Sequence, residues 1–266
     1  MKIAFCLHGL VGSRSSKYGL NKNINLKIPY SYFQKNIFKN NSNVDIFLHS
    51  QSYEAKKELI HLYKPKSFKI EKLKDFSFSI KHPHLKRLYI LRLKSFVESL
   101  IGIKSSKKKI NYLIKKANAS YSRWYSFKEA IKLMRQYERK HNFKYDIVFI
   151  TRYDLIIKKK IYLNLFNKKR LTVSHHNSVP GPRNNYMTKP QKNNKTSTKG
   201  LSDLWFASCS ENMVKFSKLF DQIENYPISN HFSSFYHAKY HKLKIDFKYF
   251  RYFDFELWRR LKLSIE

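Results

Sequence analysis

Glycine is scarce in this chain, with six residues in 266, and the scarcity excludes several enzyme classes at once. An α/β-hydrolase holds its nucleophile in a G-x-S-x-G elbow, because that strained strand-to-helix turn leaves no room for side chains. No such spacing exists; "GLSDL" at 200–204 is the nearest and leads into a strand-like run. The opening "LHGLVGS", which looks like a hydrolase oxyanion-hole strand end, therefore has no nucleophile to serve. It also lacks the Gly-Lys-Ser/Thr ending of a Walker loop and the G-x-G-x-x-G of a dinucleotide fold. Cysteine is equally sparse. Cys6 and Cys209 both lie in apolar runs, which reads as buried free thiols of a cytosolic protein rather than a disulfide framework or a metal site. No apolar run reaches the ~18 residues of a membrane-spanning helix. The short N-terminal run, broken by His8, has no small-residue cleavage site of a signal peptide.

Acidic residues are the third shortage: 18 Asp and Glu against 54 Lys and Arg, a formal net charge of +36. Such a field attracts nucleic acid, anionic lipid or a phosphorylated substrate. Only 12 of the basic residues are Arg, and the lysines are scattered rather than striped. Lys, Asn, Ile, Phe and Tyr are enriched throughout, as an AT-rich coding region gives. Compositional drift and a dedicated anionic partner both remain open. No zinc, helix-turn-helix or ribonucleoprotein signature is present, so specific nucleic-acid reading is not expected. With so few carboxylates, any that falls at a strand end stands out.

What is abundant is aromatic and apolar: 42% hydrophobic residues, with 21 Phe and 19 Tyr, enough for one large domain with a real core. Residues 2–8 read as a buried strand ending in the Gly9/Gly12 loop. "YSYFQKNIFKN" (30–40) has helical spacing, "NVDIFLHSQS" (43–52) returns to a strand, and 53–63 look helical. A helical insertion follows over about 85–141. Next comes "KYDIVFITRYDLII" (144–157), read as one strand with Arg152 and Asp154 at i and i+2 on one face. "LTVSHH" (171–176) and "DLWFASC" (203–209) read as further strands, separated by a Pro/Gly/Asn/Lys-rich loop at 177–202 of the length used for lids and binding loops. "SENMVKFSKLF" reads as a helix capped by Ser210. A helix, a strand and an aromatic-basic tail finish the chain. This order predicts a single α/β domain with a mixed sheet flanked by helices.

Two constellations carry chemistry. The turn after the first strand combines backbone amides with Arg14, a set that suits nucleotide phosphates; an ordinary tight turn is the alternative. Asp154 arrives at the carboxyl edge of an apolar strand, where α/β proteins gather ligand groups. There it either coordinates a divalent ion that grips a diphosphate or pairs with a neighbour such as Arg152. "HAKYH" sets His237 and His241 one helical turn apart, but Ala238 stands where a zinc protease needs Glu, so solvated histidines are expected.

Four stretches, "MKIAFCLHGLVGSR", "NVDIFLHSQS", "RWYSFKEAIKLMRQYERKHNFKYDIVFITRYDLII" and "LSDLWFASCSENMVKFSKLF", taken in this order, resemble bacterial and viral glycosyltransferase-like proteins of surface-polysaccharide biosynthesis. That family has a GT-A-type nucleotide-diphospho-sugar fold. The resemblance implies transfer of a sugar from a nucleotide-sugar donor to a glycan or lipid-linked acceptor. It implies that Gly9, Ser13 and Arg14 hold the nucleotide, that Arg123 and Arg152 offset phosphate charge, and that Asp154 stands in the metal-binding D-x-D place, with Mn or Mg as the divalent cation. Asp203 is the implied catalytic base or sugar contact, with a capping or turn carboxylate as the alternative. Position 152 departs from the family pattern: it is Arg where the first Asp belongs, which leaves metal dependence open. A catalytically silent binding module of the same fold is the rival reading. The tail "FKYFRYFDFELWRRLK", with Trp258, is expected to rest on anionic lipid, making the protein cytoplasmic and peripheral at a membrane's inner face.

If the first loop holds a nucleoside diphosphate, Arg14→Ala weakens its binding by about 1.5–3 kcal/mol, one charge-assisted contact. Calorimetry reads this directly, and unchanged affinity moves the nucleotide elsewhere.

Overall fold

Ile3 to Leu7 are apolar without a break, so the strand they form needs cover on both faces. In the computed structural model, β1 (Ile3–Gly9) lies inside a seven-stranded sheet, paired in parallel with β2 (Val44–Ser50) and β4 (Ile147–Arg152). The structure describes residues 1–11, 24–76, 105–174, 200–249, 251 and 253–258, with backbone only for 105–109. Strand order is β3-β2-β1-β4-β7-β6-β8, with β3 at Ser67–Ile70, β6 at Leu171–Val173, β7 at Trp205–Ser208 and β8 at Ile245–Phe247. β7 runs antiparallel to both its neighbours. The mixed α/β sheet flanked by helices is as the sequence predicted.

Each sheet face carries its own core. Ile3, Phe5 and Leu7 of β1 join Phe33 of α1 (Lys27–Asn36) and Leu59 and Tyr63 of α2 (Lys56–Tyr63). Ala4 and Cys6 point to the other face, where their small size leaves room for Trp124 and Phe127 of α3 (Ser105–Lys140). α4 (Ser210–Ser217) and α5 (Asn230–Tyr240) complete that face through Met213, Phe216 and Ala238. α3 is 36 residues long, about 54 Å. It makes up residues 105–140 of the stretch read as a helical insertion and lies across the sheet; 85–102 lie outside the described residues. So do Ser13, Arg14, His175, His176 and positions 177–199 of the long loop.

The sequence reading of 144–157 as one strand is corrected. β4 ends at Arg152, Tyr153 and Asp154 turn, and β5 (Leu155–Ile157) leaves to pair antiparallel with β9 (Phe255–Leu257) in a separate two-stranded sheet. Arg152 and Asp154 therefore do not share a strand. Three contacts hold the turn: the Tyr153 hydroxyl donates to His49 O at 3.1 Å, Arg152 grips Asp154, and Trp258 N–H donates to the Asp154 carbonyl at 2.8 Å. The turn contains neither Gly nor Pro, so the apolar pattern runs through it unmarked.

Other expectations shift for local reasons. Ser210 is not the cap of α4: Cys209 holds that place, and the Ser210 hydroxyl donates to Glu138 at 2.9 Å. His237 is fully buried rather than solvated, bonded to the Tyr226 hydroxyl and Lys215 O. Cys6 is a buried free thiol, and Cys209 is free and half-buried. The aromatic-basic tail is partly core: Phe255 and Leu257 are buried, Trp258 packs against them, and Arg251 pairs with Glu256 at 2.8 Å. Residues 259–266 lie outside the described set. Among the described residues, no helix is long and apolar enough to cross a membrane.

Glu138, fully buried, ties three elements together. Its carboxylate accepts from Tyr145 N at 2.8 Å, Ser210 Oγ at 2.9 Å and Arg135 Nη1 at 2.7 Å. Glu138→Ala leaves the Tyr145 amide without its acceptor and lowers stability by about 3 kcal/mol. A denaturant midpoint measures the loss, and a change below ~0.5 kcal/mol would mean that the network contributes nothing net.

Candidate functional site

The chain order sends β1, β2 and β3 to one side and then places β4 on the other side of β1. That reversal makes the carboxyl ends of β1 and β4 the topological switch point of the sheet, the place where open α/β sheets take ligands. Three polar side chains line up across this edge because the parallel register aligns them. His49 of β2 pairs with His8 of β1, which pairs with Arg152 of β4. Each sits two residues beyond a buried apolar residue of the α3 face, Phe47, Cys6 and Ile150 respectively, so strand alternation turns all three toward α3.

α3 answers with Arg123, Ser126 and Phe127. Phe127 packs edge-on against the His8 ring at 5.3 Å. Arg123 Nη1 lies 3.1 Å from Asp203 Oδ2, two residues before β7, and His231 and Asn230 at the start of α5 also engage that carboxylate. Arg152 holds Asp154 in a bidentate pair, Nε and Nη2 each 2.7 Å from a carboxylate oxygen. Of the residues singled out from sequence, Arg123, Arg152, Asp154 and Asp203 thus converge from well-separated positions, with Gly9 at the end of the same edge. Gly9 has φ +107°, a conformation that favours glycine, and its N–H donates to Ser126 Oγ at 2.7 Å.

The electrostatics decide which roles remain. Burial alone raises the Asp203 carboxyl, but the charges of Arg123, His231 and Arg152 and a hydrogen bond with Asn230 outweigh it. The carboxyl is held well below the usual carboxylate range. It is permanently ionised and correspondingly weak as a base. Burial opposes the charge on Arg152, yet Asp154 and Asp203 keep its pKa raised. His8 is pushed well below 6.5 by burial and by Arg123, Arg152 and His49, so its ring is neutral. Its Nδ1 is buried without a hydrogen-bond partner among the described residues.

The carboxylates do not form a ready cation site. Both Asp154 oxygens face Arg152, and a divalent ion there would meet that guanidinium. Among the described residues, no group of three His, Cys, Asp or Glu is placed to hold a metal. A guanidinium carries five donors and a bidentate pair uses two, so Arg152 keeps donors for a second anion. The donor set fits phosphate oxygens and sugar hydroxyls better than a metal ion.

Sequence reasoning missed His8, His49, Ser126 and Glu71. Glu71 Oε1 lies 3.1 Å from His49 Nε2, and His49 Nδ1 lies 2.7 Å from Ser126 Oγ. An ionised carboxylate only accepts, so the proton is on Nε2 and Nδ1 accepts from the serine. The connectivity is that of a nucleophilic triad, but Ser126 is fully buried and its oxygen already takes the Gly9 N–H. It braces the ends of β1 and β2 against α3. A polar residue at an inward-facing strand end was the available signal for His8 and His49; nothing in the helical pattern marks Ser126. No protein-family model matches the chain, and no curated protein matches it significantly.

Burial lowers His49 from 6.5 to about 4 against the opposing pull of Glu71, and burial likewise brings His237 to about 4. A depressed histidine pKa means the unfolded chain takes up protons that the folded one refuses. Stability is full above pH 6.5 and falls as pH drops toward 4, by up to about 1.4 kcal/mol per pH unit for each histidine. Denaturant midpoints across this window measure the slope, and His49→Gln makes it shallower. An unchanged slope removes His49 from the titrating set.

Proposed function

We propose that this chain is a glycosyltransferase with a GT-A-like fold, moving a sugar from a nucleotide-sugar to a glycan or lipid-linked acceptor in cell-surface polysaccharide biosynthesis. One observation carries the reading. Arg152 with Asp154 and Arg123 with Asp203, drawn from three separate stretches of the chain, meet at the carboxyl edge of β1 and β4 with side chains at most 21% exposed. Their chemistry matches what the transfer needs. The acceptor hydroxyl oxygen bonds to the sugar's anomeric carbon as the bond from that carbon to the diphosphate breaks. The hydroxyl proton passes to a departing phosphate oxygen, and negative charge develops on the diphosphate. Arg152 and Arg123 are fixed, permanently charged donors for that charge, and their preorganisation in a partly dry site strengthens the effect. Asp203, ionised and weakly basic, accepts from a sugar hydroxyl and orients the ring rather than removing a proton. Neutral His8 offers its open nitrogen to the same ligand.

The catalytically silent binding module remains the second reading, favoured by the bidentate hold of Arg152 on Asp154. Thermal-shift and calorimetric titration with nucleoside diphosphates and their sugars, with and without manganese, tests both. Arg152→Ala weakens donor binding about tenfold to a hundredfold, regardless of metal. Asp154→Asn removes the partner of a mostly buried guanidinium and costs roughly 2–3 kcal/mol of stability. Donor binding that survives Asp154→Asn yet disappears with Arg152→Ala assigns Asp154 to positioning. Binding that needs manganese and vanishes with Asp154→Asn restores it as a metal ligand. Donor binding with no detectable transfer or donor hydrolysis favours the silent module, and no binding across the whole panel overturns the proposal.

A further inference from the structure

A helix on a protein surface turns large apolar residues inward and small polar ones to water. α5 does the reverse. Its buried face is Ser233, Ser234, His237 and Ala238. Its outer face carries Phe232, Tyr236 and Tyr240, exposed by 39, 41 and 65%. These three stand at i, i+4 and i+8, one row along the helix with rings about 6 Å apart. Half-buried Phe235 packs against the core and edge-on against Tyr236 at 5.6 Å, linking the row to the interior. The inner face packs through Ala238 and the His237 ring, and hydrogen bonds satisfy its polar groups: His237 to Tyr226 and Lys215 O, Ser233 to Asn230 O and Ser234 to His231 O. The outer rings leave 39 to 65% of their surface in water, apolar area that folding does not bury.

The exposed charge around this helix is mainly positive. Lys215 and Lys218, next to α5, and Lys239, Lys242 and Lys244, on it or just beyond, are all exposed. None of the five has a carboxylate within ion-pair distance among the described residues, while nearby Asp221 is held by Lys128 and Glu224 by the Tyr121 hydroxyl. We propose that the outer face of α5 docks the protein on an anionic lipid bilayer, the rings entering the headgroup boundary and the lysines meeting lipid phosphates. A second copy of this chain brings the same lysines and a net charge of +36, so like charges oppose self-association through this face. A convex row of rings on one helix does not enclose a nucleic-acid strand but lies readily in a planar interface. The start of α5 is part of the candidate site, since Asn230 and His231 both engage Asp203. Docking through α5 therefore brings that site to the membrane surface, although the docking itself does not depend on glycosyl transfer.

Co-sedimentation with vesicles of phosphatidylcholine, with and without phosphatidylglycerol, tests the proposal. The full chain binds the phosphatidylglycerol vesicles at physiological salt, and the triple variant F232S/Y236S/Y240S binds ~tenfold or more weakly with an unchanged melting temperature. A control, Y53S/Y112S, removes two exposed aromatics elsewhere and leaves binding intact. Should the triple variant misfold, Tyr236→Trp gives a second reading: its fluorescence is quenched by brominated lipid if the face enters the bilayer. Equal losses in triple variant and control, or binding that salt abolishes and the aromatics do not affect, overturns the proposal. So does a triple variant that keeps vesicle binding but loses binding to single-stranded RNA, which assigns the face to nucleic acid.

Discussion

The parallel pairing of β1 with β2 on one side and β4 on the other is the constraint on which the rest depends. It fixes the register that sets His49, His8 and Arg152 side by side, and it places the switch in strand order at the carboxyl end of β1. A shift of one residue in either pairing would turn one of these side chains to the opposite face and break the row. α3 locks the arrangement. The Ser126 hydroxyl takes the Gly9 amide and meets His49, so one helix residue holds the ends of two strands. Arg123, one turn earlier, is thereby aimed at Asp203.

The shortage of carboxylates shapes the protein in two ways. Inside, the few available are spent on buried or half-buried partners: Asp154 on Arg152, Asp203 on Arg123, Glu138 on Arg135, Glu256 on Arg251. The candidate site is consequently close to neutral, two guanidiniums against two carboxylates, despite lying in a chain of net charge +36. Outside, among the described residues, a group of lysines without a carboxylate at ion-pair distance flanks α5. In the proposed roles, recognition at the strand edge rests on fixed hydrogen-bond geometry, while attraction at the surface rests on charge.

Much of the fold was legible in sequence because its strands are buried on both faces. "IAFCL" and "DIVFI" leave few alternatives to a central parallel strand, and the helical spacing of 105–140 is long enough to be unambiguous. The turn at Tyr153 and Asp154 was not legible. Its cause is a set of distant contacts, to His49 O and to Trp258 N–H, and no local breaker announces it. The interior place of His237 was hidden for a similar reason: the helix it sits on is inverted, and the pattern of aromatics alone points the wrong face inward.

By itself the sequence determined the class of architecture, the two-sided burial of β1 and β4, the excess of positive charge and the candidates Arg123, Arg152, Asp154 and Asp203. The architecture and charge follow from composition and the apolar period, which are local or additive properties, and the candidates Arg123 and Asp203 follow from the motif order that carries the family resemblance. Only the tertiary structure decided the pairings: which guanidinium meets which carboxylate, that Asp154 faces Arg152 in a turn, and that Ser126 and two histidines brace or line the edge. Those depend on strand register and on where α3 crosses the sheet. Register and crossing are set by contacts between residues far apart in the chain, and no short stretch of sequence contains them.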